Sequence, residues 1–285
     1  MHTLLSIVVI TRNDIEGLER TLSSFDVQHP LIQVVVIDGS DSSYLFRSSL
    51  FIIESVSYII QRSTGLFEAM NEGLEASHGQ YVLFMNGGDK FFNNRSLLDC
   101  LSVLQTNSAN PPLSFVFISH IITPNNNSIG FNPPTLQISF PAWNILHFFF
   151  PWAFWPCHQS FIFNTASHKK IPYSNASLGS DEYVMRSFLS FPCKFVDIVL
   201  SEIDTGGRSS TPPINKRHFV QQFNHFIKMK MYRRLFRLVL FTFISYLGLS
   251  NYIDAFRIFR YRILALILPI PLLILNIIFP IPLQK

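Results

Sequence analysis

In QYVLFMNGGDKFF, residues 80–92, a strand-like apolar run passes straight into Asn86-Gly87-Gly88-Asp89. A strand that ends in a glycine turn holding one fixed carboxylate can present a divalent cation to a diphosphate. The plainer reading is a turn alone, because Asn-Gly and Gly-Gly are also strong hairpin signals. A hairpin needs an antiparallel partner next in sequence, and KFFNNRS (90–96) is a poor strand. The same plan recurs at QVVVIDGSDSS (33–43), where a buried-strand pattern ends at Asp38 in an Asp-Gly turn. It recurs again at LLSIVVI (4–10), which ends in the polar loop TRND containing Thr11 and Asn13. Further on, a polar pair, His158-Gln159, precedes the strand-like SFIF, and Asp181 stands in the first turn of a helical pattern over 178–190. Acids in a first turn are expected from capping and the helix dipole alone, and a histidine beside Cys157 is commonly packed.

The elements that must carry these residues follow from hydrophobic period. After the first strand pattern, Leu18, Leu22 and Phe25 recur at helical spacing. SYIIQ (57–61) reads as a short strand, and GLFEAMNEGLEASHG (65–79) as a helix through Leu66, Met70 and Leu74 that Gly79 ends. Strand and helix alternate in units of about 25 to 35 residues, which predicts βαβ units and an α/β fold with a mainly parallel sheet flanked by helices. In such a sheet, ligands bind beyond the carboxyl ends of the strands. The loops TRND, DGSDSS and NGGD are therefore expected along one edge. Residues 107–156 are rich in Pro, Asn and Phe, with a strand expected at SFVFISHII (114–122) and a turn at PNNNS. KFVDIVLSEID reads as a strand or hairpin that leads into a Gly-Gly loop.

With 285 residues the chain has room for one large domain, or for one domain with an appendage. Only 14% of residues are charged, 48% are hydrophobic and the mean hydropathy is +0.27, a composition that points to lipid contact. After Asp204 the only acid is Asp254, whereas Lys216, Arg217, Lys228, Lys230, Arg233, Arg234, Arg237, Arg257, Arg260 and Arg262 accumulate. The net charge of +4 is thus a C-terminal property. Beside apolar segments, such a run reads as a footprint on an anionic membrane surface rather than on nucleic acid, for which no interleaved aromatics or module are evident. Residues 263–283 carry no charge over 21 positions, long enough to span a bilayer. Four prolines and Asn276 favour a re-entrant or interfacial segment over a straight spanning helix. The basic residues would keep their side at the cytoplasmic face. Three widely spaced cysteines, Cys100, Cys157 and Cys193, indicate neither a disulfide framework nor a zinc site. The N-terminus lacks the basic region and cleavage site of a signal peptide.

Taken in order, SIVVITRND, VVVIDGSDS, GLFEAMNEGLEASHGQYVLFMNGGD, CHQSFIF, GSDEYVMRSF and TGGRSS resemble glycosyltransferase family 2, the inverting nucleotide-sugar transferases of the GT-A (Rossmann-like) fold. The likeness covers about residues 3–210, and the helix-to-strand block is similar to the exopolysaccharide and lipopolysaccharide branch. It implies a GT-A domain over 1–210 and a basic, hydrophobic, helical membrane-associating region over 211–285. It further implies transfer from a nucleoside-diphosphate sugar to a lipid-linked or saccharide acceptor hydroxyl, assisted by Mg²⁺ or Mn²⁺. Asp89 matches the end of the family's metal-binding motif, with Asn86 in place of its first acid. Thr11, Asn13, Asp38, Asn71, Asn86, Gly87, His158, Gln159 and Arg208 match nucleotide-sugar positions. Asp181 matches the general base, a role commonly contributing about 10² to 10⁴ in rate. Two departures, Gly39-Ser40-Asp41 after the second strand and Ser63 where the family commonly has an acid, imply either a different donor preference or reduced activity. The competing class is a non-catalytic relative that binds nucleotide-sugar or scaffolds a polysaccharide assembly. A nucleotidyltransferase on a similar sheet lacks support, because no Gly-rich basic loop follows the first strand.

Overall fold

The computed structural model describes residues 3–41, 55–107, 111–123, 125–132, 156–174, 180–189 and 192–204. The chain divides into two compact units, Met1–His120 with Pro156–Ile203, and Ile121–Trp155 with Asp204–Lys285.

The first unit is built outward from β1 (Leu5–Thr11), whose seven residues are all buried. It lies between two parallel neighbours, β2 (Ile32–Asp38) with Leu5 opposite Ile32, and β4 (Tyr81–Asn86) with Leu5 opposite Tyr81. β3 (Val56–Ile60) extends the parallel half beyond β2, with Asp38 opposite Ile60. β1 and β2 read as near-continuous Val and Ile runs because both faces of this part of the sheet are covered, whereas β3 at its end is partly exposed. Helix α1 (Ile15–Leu22) buries Leu18 and Leu22, and its first turn is capped by Asp14, whose Oδ1 accepts the Gly17 N–H at 2.8 Å. Helix α2 (Leu66–Ala76) packs through Ala69, Met70 and Leu74 and comes close to the sheet at Gly73. A Cβ there would lie 2.3 Å from Val8 Cγ1, so only glycine lets the helix seat.

Beyond β4 the sheet is mixed. β4 pairs antiparallel with β8 (Phe161–Asn164), and β8 pairs antiparallel with β6 (Ser114–Ile122). β9 (Cys193–Asp204) pairs antiparallel with the two-residue β5 (Lys90–Phe91). The strand order is β3-β2-β1-β4-β8-β6-β9-β5, with β7 (Ser128–Asn132) paired to β6. The expectation of a mainly parallel sheet is thus corrected to a mixed one: β3, β2, β1 and β4 pair in parallel, and β4–β8, β8–β6 and β5–β9 pair antiparallel. Connection length accounts for β5, which follows β4 too closely to join its parallel ladder. Three residues separate β4 from β5, far fewer than the dozen or so a parallel crossover requires. Lys90–Phe91 consequently does form a strand, but against β9 and not as a hairpin with β4.

Helix α3 (Ser96–Thr106) packs Leu97, Leu101 and Leu104 against one face, in a cluster with Ile7, Val9, Val34, Leu83 and Phe115. Each such fully buried side chain contributes about 1.5 to 3 kcal/mol. The other face carries an aromatic group of Phe84, Phe163, His168 and Phe188, the last on α5 (Ser180–Leu189). A short helix α4 (Thr165–His168) follows β8 directly.

Of the second unit, the described part includes the turn expected at PNNNS, where Thr123 N–H bonds to the Asn127 carbonyl at 2.9 Å and Asn126 takes φ 59°. Among the described residues no helix is long and apolar enough to cross a membrane. Arg208, the boundary expected at 210 and the apolar stretch 263–283 lie outside the described residues.

Candidate functional site

The three polar loops stand side by side at one sheet edge. Thr11 is opposite Asp38, and Ile10 is opposite Asn86, so the carboxyl ends of β1, β2 and β4 lie level. Backbone bonds continue the ladder into the loops: Gly39 N–H donates to the Thr11 carbonyl at 3.0 Å, and Gly87 N–H to the Ile10 carbonyl at 2.8 Å.

Asn13 fastens the first loop to the second. Its φ of 55° is in the left-handed region that Asn tolerates. Its N–H donates to Ser40 Oγ at 2.6 Å, its Nδ2 to Asp41 Oδ2 at 3.1 Å, and its Oδ1 accepts the Asp41 N–H at 2.9 Å. Thr11 turns its hydroxyl to the Asp14 carbonyl. Asp38 is 6% exposed; its Oδ1 accepts the Ser40 N–H at 2.7 Å and its Oδ2 accepts the Tyr58 hydroxyl. Burial, and then the neighbouring Asp38 carboxylate, push the Tyr58 phenol far above its ordinary range, so it is a permanent donor. Sequence reasoning missed Tyr58. Its one signal was a polar-tipped residue in an otherwise apolar short strand.

Asn86-Gly87-Gly88-Asp89 is a tight turn in which Asp89 N–H bonds back to the Asn86 carbonyl at 3.1 Å. Gly88 has φ 102°, closed to residues with a Cβ. Helix α1 clamps this turn: Gly88 N–H donates to Thr21 Oγ1 at 3.0 Å, and Thr21 Oγ1 donates to the Asp89 carbonyl at 2.7 Å. Thr21, fully buried, was also missed; a hydroxyl on the apolar stripe of a helix is the signal. Asp89 is 6% exposed, and its Oδ2 accepts Asn86 Nδ2 at 3.1 Å and Gln159 Nε2 at 2.8 Å.

Gln159 lies in a single 3₁₀ turn, His158–Ser160, placed before β8. The turn is pinned by three fully buried hydroxyls, Ser160 Oγ lying 2.7 Å from Ser119 Oγ and 2.7 Å from Ser201 Oγ. His158 packs against Phe84, Phe163 and Tyr173 with ring centroids 5.3, 5.7 and 5.6 Å away. Burial lowers its pKa to about 4, and the Asp181 carboxylate nearby opposes that shift. The Tyr173 phenol is raised by burial first and by Asp181 second. Asp181, half-buried in the first turn of α5, therefore acts electrostatically on both rings. Asn71 is bonded at both ends of its amide to the Tyr173 backbone, Nδ2 to the carbonyl at 2.8 Å and Oδ1 from the N–H at 2.9 Å. It holds the loop under His158.

The sequence-derived residues thus form three groups: Thr11, Asn13 and Asp38 with Gly87 beside them; Asp89, Asn86 and Gln159; and His158, Asn71 and Asp181 around Tyr173. The second and third are joined through the adjacent residues 158 and 159. Among the described residues no group of three or more His, Cys, Asp or Glu could cage a metal ion. The donor set at Asp89, one buried carboxylate with amide neighbours, suits a hard cation that keeps its waters and shares substrate phosphates, and it does not suit zinc.

Comparison with curated proteins finds no match. Solved structures similar to the chain include S. aureus TarS 1-349 in complex with UDP-GlcNAc, at 14% identity and TM-score 0.57, covering 92% of this chain and 90% of that one. They also include the mannosyltransferase PcManGT from Pyrobaculum calidifontis in complex with GDP-Man and Mn²⁺, at 13% identity and TM-score 0.51, covering 90% and 74%. At these identities the likeness concerns the fold, α/β of the GT-A kind. The sequence profile described as "Glycosyl transferase family 2" matches residues 6–153, just over half the chain, from β1 through all three loops of the sheet edge. On that match the chain belongs to glycosyltransferase family 2 and is a glycosyltransferase.

Proposed function

We propose that the chain transfers a sugar with inversion from a nucleoside-diphosphate sugar to a hydroxyl of a lipid-linked or polysaccharide acceptor, in the exopolysaccharide and lipopolysaccharide branch of the family. The observation that carries this reading is the Gln159–Asp89 bond, which sets a phosphate-side carboxylate beside a second group whose acid is Asp181. Two acids with separate surroundings suit two tasks.

In this reading Asp38, Thr11 and Asn13 receive the nucleotide, and Asn86 and Gly87 line the diphosphate. Asp89 would hold Mg²⁺ or Mn²⁺, which supplies neutralisation of the charge growing on the departing diphosphate. Asp181 takes the proton from the acceptor hydroxyl as its oxygen bonds to the anomeric carbon. The bond from that carbon to the diphosphate oxygen breaks on the opposite face, and the nucleoside diphosphate leaves with the electron pair. His158 is neutral at physiological pH, so the base faces a dipole rather than a cation and keeps its basicity. Arg208 is assigned to the diphosphate by its motif alone.

Residues 1–210 form the transferase domain in this reading, and 211–285 bind the cytoplasmic face of a membrane. Confinement to the surface brings enzyme and lipid-linked acceptor into the same layer. Thermal shift against a panel of nucleotide-sugars, with and without Mn²⁺, tests the donor assignment. Stabilisation by at least one, enhanced by Mn²⁺, is expected; stabilisation by none favours a scaffold role.

A further inference from the structure

The Tyr173 hydroxyl lies between two imidazoles, 2.6 Å from His158 Nε2 and 3.0 Å from His168 Nε2. His168 Nδ1 is 3.1 Å from the Ile171 carbonyl, which can only accept. Nδ1 of His168 therefore carries the proton. Burial lowers the pKa of His168 to about 4, so the ring is neutral near pH 7 and its Nε2 is an acceptor. Tyr173 must donate its single proton there. Its oxygen is then left only as an acceptor toward His158, whose Nε2 must be the protonated nitrogen. His158 is neutral as well, which leaves Nδ1 with a lone pair. With both rings neutral, donor and acceptor counting leaves the chain one solution. The lock is braced from outside: Asn71 grips the Tyr173 backbone through both ends of its amide, and Phe67 stacks on the Tyr173 ring at 5.9 Å.

We propose that Tyr173, His168 and the Ile171 carbonyl form a tautomer lock that makes His158 Nδ1 a fixed hydrogen-bond acceptor for a sugar hydroxyl beside Asp181. Tyr173 is accordingly a positioning residue that acts through His158. The proposal rests on the transferase reading for the identity of the donor, a sugar hydroxyl, but the tautomers themselves do not. The site recognises a hydroxyl that donates, and it rejects a substrate whose group at that position can only accept.

The test uses the full chain, labelled with ¹⁵N at histidine. Long-range ¹H–¹⁵N correlation at pH 7 reads which ring nitrogen is protonated, with assignments taken from His158→Asn and His168→Gln. Expected are the Nε2–H form at His158 and the Nδ1–H form at His168. The Nδ1–H form or an imidazolium at His158 overturns the proposal, whether or not the protein turns over. Kinetics give the second arm. Tyr173→Phe lowers kcat/KM about tenfold, the scale of one lost hydrogen bond. His158→Asn, whose amide oxygen stands near the Nδ1 position, retains more activity than His158→Gln, which reproduces Nε2. Equal loss in the two His158 variants, with kcat/KM unchanged in Tyr173→Phe, overturns the role assigned to Nδ1. Absence of any turnover in the wild type overturns the transferase reading and leaves the tautomer result standing.

Discussion

Gln159 Nε2 donates to Asp89 Oδ2 at 2.8 Å, joining residues 70 positions apart in sequence. The contact ties the glycine turn after β4 to the 3₁₀ turn before β8, and with it the Asp89 carboxylate to the turn that carries His158. Orientation of a carboxylate by a neighbouring amide is the kind of support whose removal commonly costs about 10- to 100-fold in metal affinity or activity. Gln159→Ala is expected to fall in that range, with a higher Mn²⁺ concentration needed for half-maximal turnover. Activity of Gln159→Ala equal to wild type at every Mn²⁺ concentration would remove Gln159 from the site.

Thr21 is the mechanical support of the same turn. Its hydroxyl receives the Gly88 N–H, which also reaches the Gly17 carbonyl at 2.9 Å, and donates to the Asp89 carbonyl; Thr21→Val keeps the shape while removing both of the hydroxyl's bonds. A typical intramolecular hydrogen bond contributes about 0.5 to 1.5 kcal/mol. Urea denaturation should show a loss of that size. A midpoint within error of wild type would mean that water or another group replaces the hydroxyl.

Acid should weaken the fold in a window set by the buried histidines. His158 and His168 titrate at about 4 when folded, against 6.5 as the ordinary value. Between those limits the unfolded chain binds protons that the folded chain does not, so stability is complete above pH 6.5 and is lost as pH falls toward 4. The slope is about 1.4 kcal/mol per pH unit for each histidine. Urea midpoints at pH 7, 6 and 5 should fall steadily in wild type and less steeply in His168→Gln. Parallel slopes in the two proteins would show that His168 is not neutral in the fold.

Much of this site could be read before the structure because its geometry follows from chain direction. Apolar runs ending at Thr11, Asp38 and Asn86, spaced for crossover helices, require parallel strands, whose carboxyl ends share one edge whatever their order. The place of Asp89 at that edge was legible for the same reason, three residues past the end of β4. What stayed hidden depends on long-range contacts that periodicity does not encode. Tyr58 becomes part of the site only because β3 pairs with β2, and Thr21 only because α1 faces the turn after β4. Asn71 was itself expected at the nucleotide-sugar site, but its destination was not legible: its amide goes to the Tyr173 backbone, 102 residues away. The antiparallel half escaped for a related reason: β5 is two residues long and has no alternation to detect.

The most direct test of the central claim is release of nucleoside diphosphate from the stabilising nucleotide-sugar, in wild type and in Asp181→Asn, with acceptor present and Mn²⁺ saturating. Removal of a general base costs about 10² to 10⁴ in rate, so kcat for Asp181→Asn should fall by that factor while donor KM stays within about twofold. Unchanged kcat in Asp181→Asn would contradict the account.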